Sequence, residues 1–200
     1  MRLGIFGGSF NPIHLGHMHI AREFARQLSL DEVLFIPTST PPHKRAPELA
    51  PAEERLAMCR LALQGEPAME ASDLELRRGG KSYTADTLRQ LAAERPGDGL
   101  FLLMGEDMFL TLQNWYHPQE ICRLAAICAA PRSPGGRRGM EGQKALLEGL
   151  GARVSLCSIS FLPISSTLVR QAVKEGASLA GLVPPQVEAY IREKGLYAKR

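Results

Sequence analysis

Residues 4–21 read GIFGGSFNPIHLGHMHIA: an apolar run, two glycines, a proline, then three histidines within six positions. The residues Arg2–Phe6 have the continuous apolar character of a short buried strand. From Leu15 the apolar side chains fall at Leu15, Met18, Ala21, Phe24, Ala25 and Leu28, the stripe of an amphipathic helix. Strand, turn and helix in that order are the opening of an α/β unit. The glycine pair Gly7-Gly8 is expected to turn the chain sharply and to leave its backbone open to a ligand. A helix start beyond it offers free N–H groups and a positive dipole end, which suit an anion.

The same alternation continues outward. DEVLFIP (31–37) reads as a second strand and APAEERLAMCRLALQ as a helix with Pro51 near its start. A strand is expected around 68–71, then the helix YTADTLRQLAAE, stopped by Pro96-Gly97. GLFLLMG (99–105) is a continuous apolar strand and LAAICAAP (124–131) the next. KALLEGL is a helix and RVSLCSI a strand. SSTLVRQAVKEG is a helix with serine at its cap and Gly176 beyond its end, and PPQVEAYIREKG closes the chain. PRSPGGRRGMEG (131–142), rich in Gly and Arg, reads as a surface loop. The pattern predicts one α/β domain over 1–200, a Rossmann-like, doubly wound parallel sheet with helices on both faces.

The chain has 200 residues, 44% of them hydrophobic and 22% charged, with a formal net charge of +3. That admits anionic small molecules, but no basic stripe points to nucleic acid. No segment reaches the ~20 apolar residues of a membrane helix, and Gly7-Gly8 interrupts anything resembling a signal peptide. Cys59, Cys122, Cys128 and Cys157 form no C-x-x-C pair and lie in apolar segments. Reduced core thiols in a cytoplasmic protein are the expectation.

In an open parallel sheet, ligands bind beyond the carboxyl ends of the strands. The polar motifs lie there: GGSFNPIHLGH after the first strand, TSTPPHKR after the second, GEDMF after the central one, PRSPGG and PISSTLVR after the later ones. His14 and His17 share one helical face. Zinc lacks a third ligand nearby and general-base work is conceivable, but donation to phosphoryl oxygens suits a helix start better. His19 aligns with Arg22, Glu23 and Arg26 and reads as surface. His43, Lys44 and Arg45 sit on a proline-stiffened loop, with Lys44 placed for a phosphate chain. Arg170 lies one turn inside a serine-capped helix. Trp115, the only tryptophan, stands in a polar setting (QNWYHPQ) and could stack on a flat ring. RRGGKS (77–82) imitates the end of a P-loop, but Glu75 occupies the place of its first glycine, so that reading fails.

GGSFNPIHLGH resembles the nucleotidyltransferase signature G-G-x-F-[DN]-P-x-H-x-G-H, and ISSTLVR resembles the second signature of that superfamily, I-S-S-T-x-x-R. PPHK, SYTADTL and GEDM…NWY are similar to the bacterial nicotinate-nucleotide adenylyltransferase branch. The resemblance implies adenylyl transfer from ATP to nicotinate mononucleotide with Mg²⁺, giving deamido-NAD and pyrophosphate. The Mg²⁺ would be held mainly by the ATP phosphates, not by a protein metal site. It implies that His14, His17 and Lys44 meet the phosphates, and that Ser165, Ser166 and Arg170 serve the ATP side. It places the backbone of Gly7, Gly8, Ser9 and Phe10, with Gly105 and Asp107, at the nucleotide. Trp115 would hold the pyridine ring, backbone N–H groups at Tyr83 and Thr84 its carboxylate, and Arg132 the mononucleotide phosphate. Ser9 and Asn11 stand where Thr and Asp are common in the family, and Thr38 and Ser39 where Asn is frequent. Two other readings stay open: the same chemistry on nicotinamide mononucleotide or phosphopantetheine, and a nucleotide- or RNA-binding module without catalysis.

Overall fold

The structure, a computed structural model, describes residues 1–41, 49–131 and 136–199. Strand β1 (Arg2–Gly8) leads to helix α1 (Leu15–Leu28), β2 (Glu32–Pro37), α2 (Ala52–Ala62) and β3 (Met69–Ala71). Then come α3 (Leu74–Arg78), α4 (Thr84–Glu94), β4 (Gly99–Gly105), α5 (Glu106–Phe109), α6 (Pro118–Leu124) and β5 (Ala125–Ala130). Helix α7 (Gly136–Gly149), β6 (Val154–Leu156), α8 (Ser166–Lys174) and α9 (Pro185–Glu193) complete the chain. All strand pairs are parallel, in the order β3-β2-β1-β4-β5-β6.

The apolar runs of the strands are explained by burial on both sides. Along β2, Val33 and Phe35 enter one core while Leu34 and Ile36 enter the other. β5 does the same with Ala126 and Cys128 against Ala125 and Ile127. The first core packs α1, α2, α8 and α9 through residues such as Phe24, Met58, Val169 and Ile191. The second packs α4, α6 and α7 through Leu88, Ile121 and Leu147. The winding direction reverses between β1 and β4, and in such sheets that reversal leaves a crevice at the strand ends. All four cysteines are buried and free, as expected, and burial raises their thiol pKa values.

Three expectations are corrected. Residues 136–142, read as loop from their glycines and arginines, are the first two turns of α7. Met140, Gln143 and Leu147 bury one face there, and tertiary packing outweighs the roughly 1 kcal/mol each glycine costs a helix. Gly7 and Gly8 do not turn the chain: both belong to β1, and the reversal comes at Phe10, with a φ of 43°, and the cis Asn11–Pro12 bond. His19 is not simply in water; its Nε2 lies 2.7 Å from the Ser160 carbonyl and ties α1 to the segment before α8.

Candidate active site

A cleft of about 610 Å³ opens at the carboxyl ends of the strands. It gathers Gly7, Gly8, Ser9, Phe10, His14 and His17 from the first unit, Gly105 and Asp107 from the end of β4, and Tyr83 and Thr84 from the start of α4. Trp115, Ser165, Ser166 and Arg170 complete its lining. Lys44 and Arg132, with His43 and Arg45, lie outside the described residues.

The histidine pair owes its geometry to the start of α1. His14 is the N-cap: the His17 backbone N–H donates to His14 Nδ1, and the His14 backbone N–H donates to His17 Nδ1, each at 3.3 Å. This is a capping box made of two imidazoles, an arrangement usually filled by Ser/Thr and Glu/Gln. The rings stack with centroids 3.6 Å apart. With both Nδ1 atoms accepting, each neutral ring carries its proton on Nε2, so the pair presents N–H donors. Gly16 permits the arrangement, because a Cβ there would press to 3.0 Å from the His14 ring.

Beneath the histidines the reversal after β1 is held from every side. The Phe10 ring is buried against Phe6, Phe35 and His17, so its side chain belongs to the core while its backbone borders the cleft. Asn11 Oδ1 accepts from the Ala50 N–H at 3.0 Å and from the Tyr197 hydroxyl at 2.8 Å. Arg170 donates to the Asn11 carbonyl at 2.8 Å, and the Ser166 hydroxyl donates to the Pro12 carbonyl at 2.8 Å. Ser165 caps α8 by accepting the Leu168 N–H. The second signature is therefore fastened to the first, and Arg170 reaches the rim through that fastening.

The far wall is looser. Tyr83 caps α4 through its backbone alone and packs on Tyr116 with ring centroids 4.5 Å apart. Trp115 is half-buried; one side rests on the second core, its Nε1 donates to Thr111 at 3.3 Å, and it borders the cleft. Two acidic groups share this end of α4: Asp86 in its first turn and Glu75, which is 5% exposed. Glu75 Oε1 accepts the Thr87 hydroxyl, whereas Oε2 and Thr38 Oγ1 are buried without a hydrogen-bond partner among the described residues. Burial pushes the Glu75 carboxyl above its usual range, against the opposing pull of Ser82, Thr87, Arg78 and Arg55. Among the described residues no three His, Cys, Asp or Glu side chains form a group able to hold a metal ion. No helix among them is long and apolar enough to cross a membrane.

Sequence reasoning missed Arg55 and Glu75. Arg55 had a readable signal. With Cys59 and Ala62 it falls at i, i+4 and i+7, so a cation sits on the apolar stripe of α2. Glu75 was noticed only for breaking a false P-loop.

The cytidylyltransferase-like family model matches residues 5–172. A probable nicotinate-nucleotide adenylyltransferase of Synechococcus sp. (strain JA-3-3Ab) is 40% identical over 196 residues, 98% of this chain and 94% of that protein. One from Dehalococcoides mccartyi is 38% identical over 201 residues, 100% of this chain and 98% of that protein. Among solved structures, the Plasmodium falciparum nicotinic acid mononucleotide adenylyltransferase complexed with NaAD aligns with a TM-score of 0.78 at 18% identity, covering 98% of this chain and 97% of that one. That last likeness is one of fold. The parallel sheet, the joined signatures and these relatives together place the chain: it belongs to the cytidylyltransferase-like family, among the nicotinate-nucleotide adenylyltransferases.

Proposed function

We propose that this chain transfers the adenylyl group of ATP to nicotinate mononucleotide, releasing pyrophosphate and giving deamido-NAD. The observation that carries the reading is the stacked His14–His17 pair, whose Nδ1 atoms are pinned by backbone so that Nε2–H donors are presented at the cleft. Mg²⁺ would be held mainly by the ATP phosphates, neutralising their charge, and Asp107, exposed on the cleft lining, would offer it a carboxylate oxygen.

An oxygen of the mononucleotide phosphate attacks the α-phosphorus in line. The new P–O bond forms as the bond to the β-phosphate bridging oxygen breaks, and that electron pair leaves with pyrophosphate. Such a step requires placement and charge stabilisation, with no covalent intermediate. In this reading His14 and His17 donate to the phosphoryl oxygens, His17 nearest the reacting centre. Arg170 and Lys44 neutralise the departing charge, and Ser165 and Ser166 hold α8 against the turn. The backbone of Gly7–Phe10 lies along the nucleotide with Gly105. Among the described residues no atom fills the space a side chain would take at Gly7, which suits close approach of a ligand. Trp115 stacks on the pyridine ring, the N–H groups at Tyr83 and Thr84 receive its carboxylate, and Arg132 meets the mononucleotide phosphate. The site is one for small molecules, not for nucleic acid or membrane, in a protein of the cytoplasm.

Purified protein given MgATP and nicotinate mononucleotide is expected to release pyrophosphate; turnover no greater than that of His17→Ala would overturn the reading. At the α4 end Asp86 pairs with Arg89 at 2.7 Å and Glu75 lies 3.8 Å from Arg78, so neither acid leaves uncompensated negative charge against a carboxylate there. The second acceptor, nicotinamide mononucleotide, is tested in the same assay. A kcat/KM for nicotinamide mononucleotide tenfold above that for the acid, about 1.4 kcal/mol, would establish that alternative.

A further inference from the structure

We propose that Arg55 is a positioning residue for adenylyl transfer, its guanidinium setting the spacing between the donor turn and the acceptor wall; this rests on the function proposed above. Arg55 is 1% exposed, and among the described residues all of its hydrogen bonds go to backbone carbonyls. Nε donates to the Ala50 carbonyl at 2.9 Å and one terminal nitrogen to the Ser9 carbonyl at 2.8 Å. The other donates to the Thr38 carbonyl at 2.7 Å and the Ser39 carbonyl at 3.3 Å. Four backbone oxygens from three separate segments thus converge on one planar fork.

Each segment continues into a part of the cleft. Ser9 lies in the reversal that leads to the histidine pair. Ala50, through its own N–H, holds Asn11, whose carbonyl receives Arg170. Ser39 and Thr40 reach the opposite wall: the Ser39 N–H donates to Ser82 Oγ at 2.9 Å, the Ser82 N–H donates to the Thr40 carbonyl at 3.0 Å, and Thr40 bridges Lys81. Tyr83 and Thr84 follow directly. A displacement at the guanidinium therefore reaches both substrates.

The chemistry excludes easy substitutes. A lysine's three donors all radiate from one nitrogen and cannot span carbonyls spread across a fork. An apolar residue would leave them without this donor. A buried cation is weak as a device for stability alone, since packed apolar groups do that as well. Its place where three cleft segments meet points to geometry as its use. Burial lowers the Arg55 pKa, while Tyr197, Cys59, Glu53 and Glu75 pull the other way; a guanidinium keeps its charge throughout.

The test compares wild type with Arg55→Lys and Arg55→Ala, assayed well below the melting temperature of the least stable variant. Arg55→Lys is expected to stay folded, with kcat lowered about 100-fold, the penalty typical of ångström-scale misplacement, and with KM raised for ATP and for the mononucleotide. Millimolar guanidinium is expected to restore part of the Arg55→Ala activity by occupying the vacated fork. A folded Arg55→Lys whose kcat and both KM values stay within about twofold of wild type would overturn the proposal. Should wild type adenylylate no mononucleotide, the function reading has failed on its own. Arg55 is then judged by binding of a non-hydrolysable ATP analogue: tenfold weaker in Arg55→Lys sustains it, unchanged overturns it.

Discussion

The two walls of the cleft are built to different standards. On the donor side, His14, Asn11 and Phe10 are buried, and Asn11, Pro12 and Ser9 each accept a bond from a distant element. On the acceptor side, Met108 is 51% exposed and Tyr116 48%, and the Tyr83 side chain packs on the Tyr116 ring without a capping hydrogen bond. Under the function proposed above, the difference teaches how in-line transfer can be served by one fold. The triphosphate, where charge moves, needs donors fixed before it arrives. The flat ring of the acceptor needs a surface to lie on, and aromatic side chains supply one without a fixed hydrogen-bond frame.

That contrast can be broken most directly at His17. Replacement by Ala removes both an Nε2 donor and half of the capping box, and kcat is expected to fall by about 10²–10³-fold, the usual cost of one preorganised donor. ATP affinity, measured by calorimetry, should change much less, and an unchanged kcat would show the donor wall to be scaffolding only. On the acceptor side, Trp115→Ala should raise KM for the mononucleotide by about tenfold, within the ~1–3 kcal/mol of ring stacking, and leave KM for ATP alone. Equal losses for both substrates would place Trp115 with the second core instead.

Ser166→Ala tests the fastening between the two signatures. Losing the hydroxyl bond to the Pro12 carbonyl should cost about 1 kcal/mol, read as a several-fold fall in kcat/KM for ATP. Smallest in effect is Glu75→Gln. The folded-state carboxyl lies above its unfolded value, so wild type loses stability as pH rises from about 4.3 through the raised folded value. The Gln variant has no such slope. Urea unfolding at a series of pH values should show wild type falling relative to the variant as the solution becomes less acidic, and parallel curves would contradict the shift.

How much of this was legible in the sequence follows from where the information is local. Apolar runs such as GLFLLMG announce strands buried on both faces, and β4 has the bounds the run predicts. The described parts of the motifs beyond the strand ends line one cleft, because a parallel sheet puts those ends together. Features set by long-range contacts were not legible. Glycines suggested a turn that Phe10 and Pro12 make instead, and composition suggested a loop where Met140, Gln143 and Leu147 dock a helix. His19 seemed a solvated residue because its partner, the Ser160 carbonyl, lies 141 positions away. Short helices such as α5, four residues long, carry too little periodicity to be seen. Arg55 was legible in principle, as a charge on an apolar stripe, but its four carbonyl partners were not.

The Tyr197–Asn11 bond gives the donor wall an order of assembly. Asn11 waits for a hydroxyl 186 positions further along the chain, and the Pro12 and Asn11 carbonyls wait for α8. Contacts of such separation carry a large loop-closure cost and need both segments to be present. A chain still being synthesised can therefore pair β1 with β2 and stack its histidines, yet hold an unfastened turn before α1 until Tyr197 emerges. The turn is complete only when α8 and Tyr197 have docked on it, not when residues 7–17 have been made.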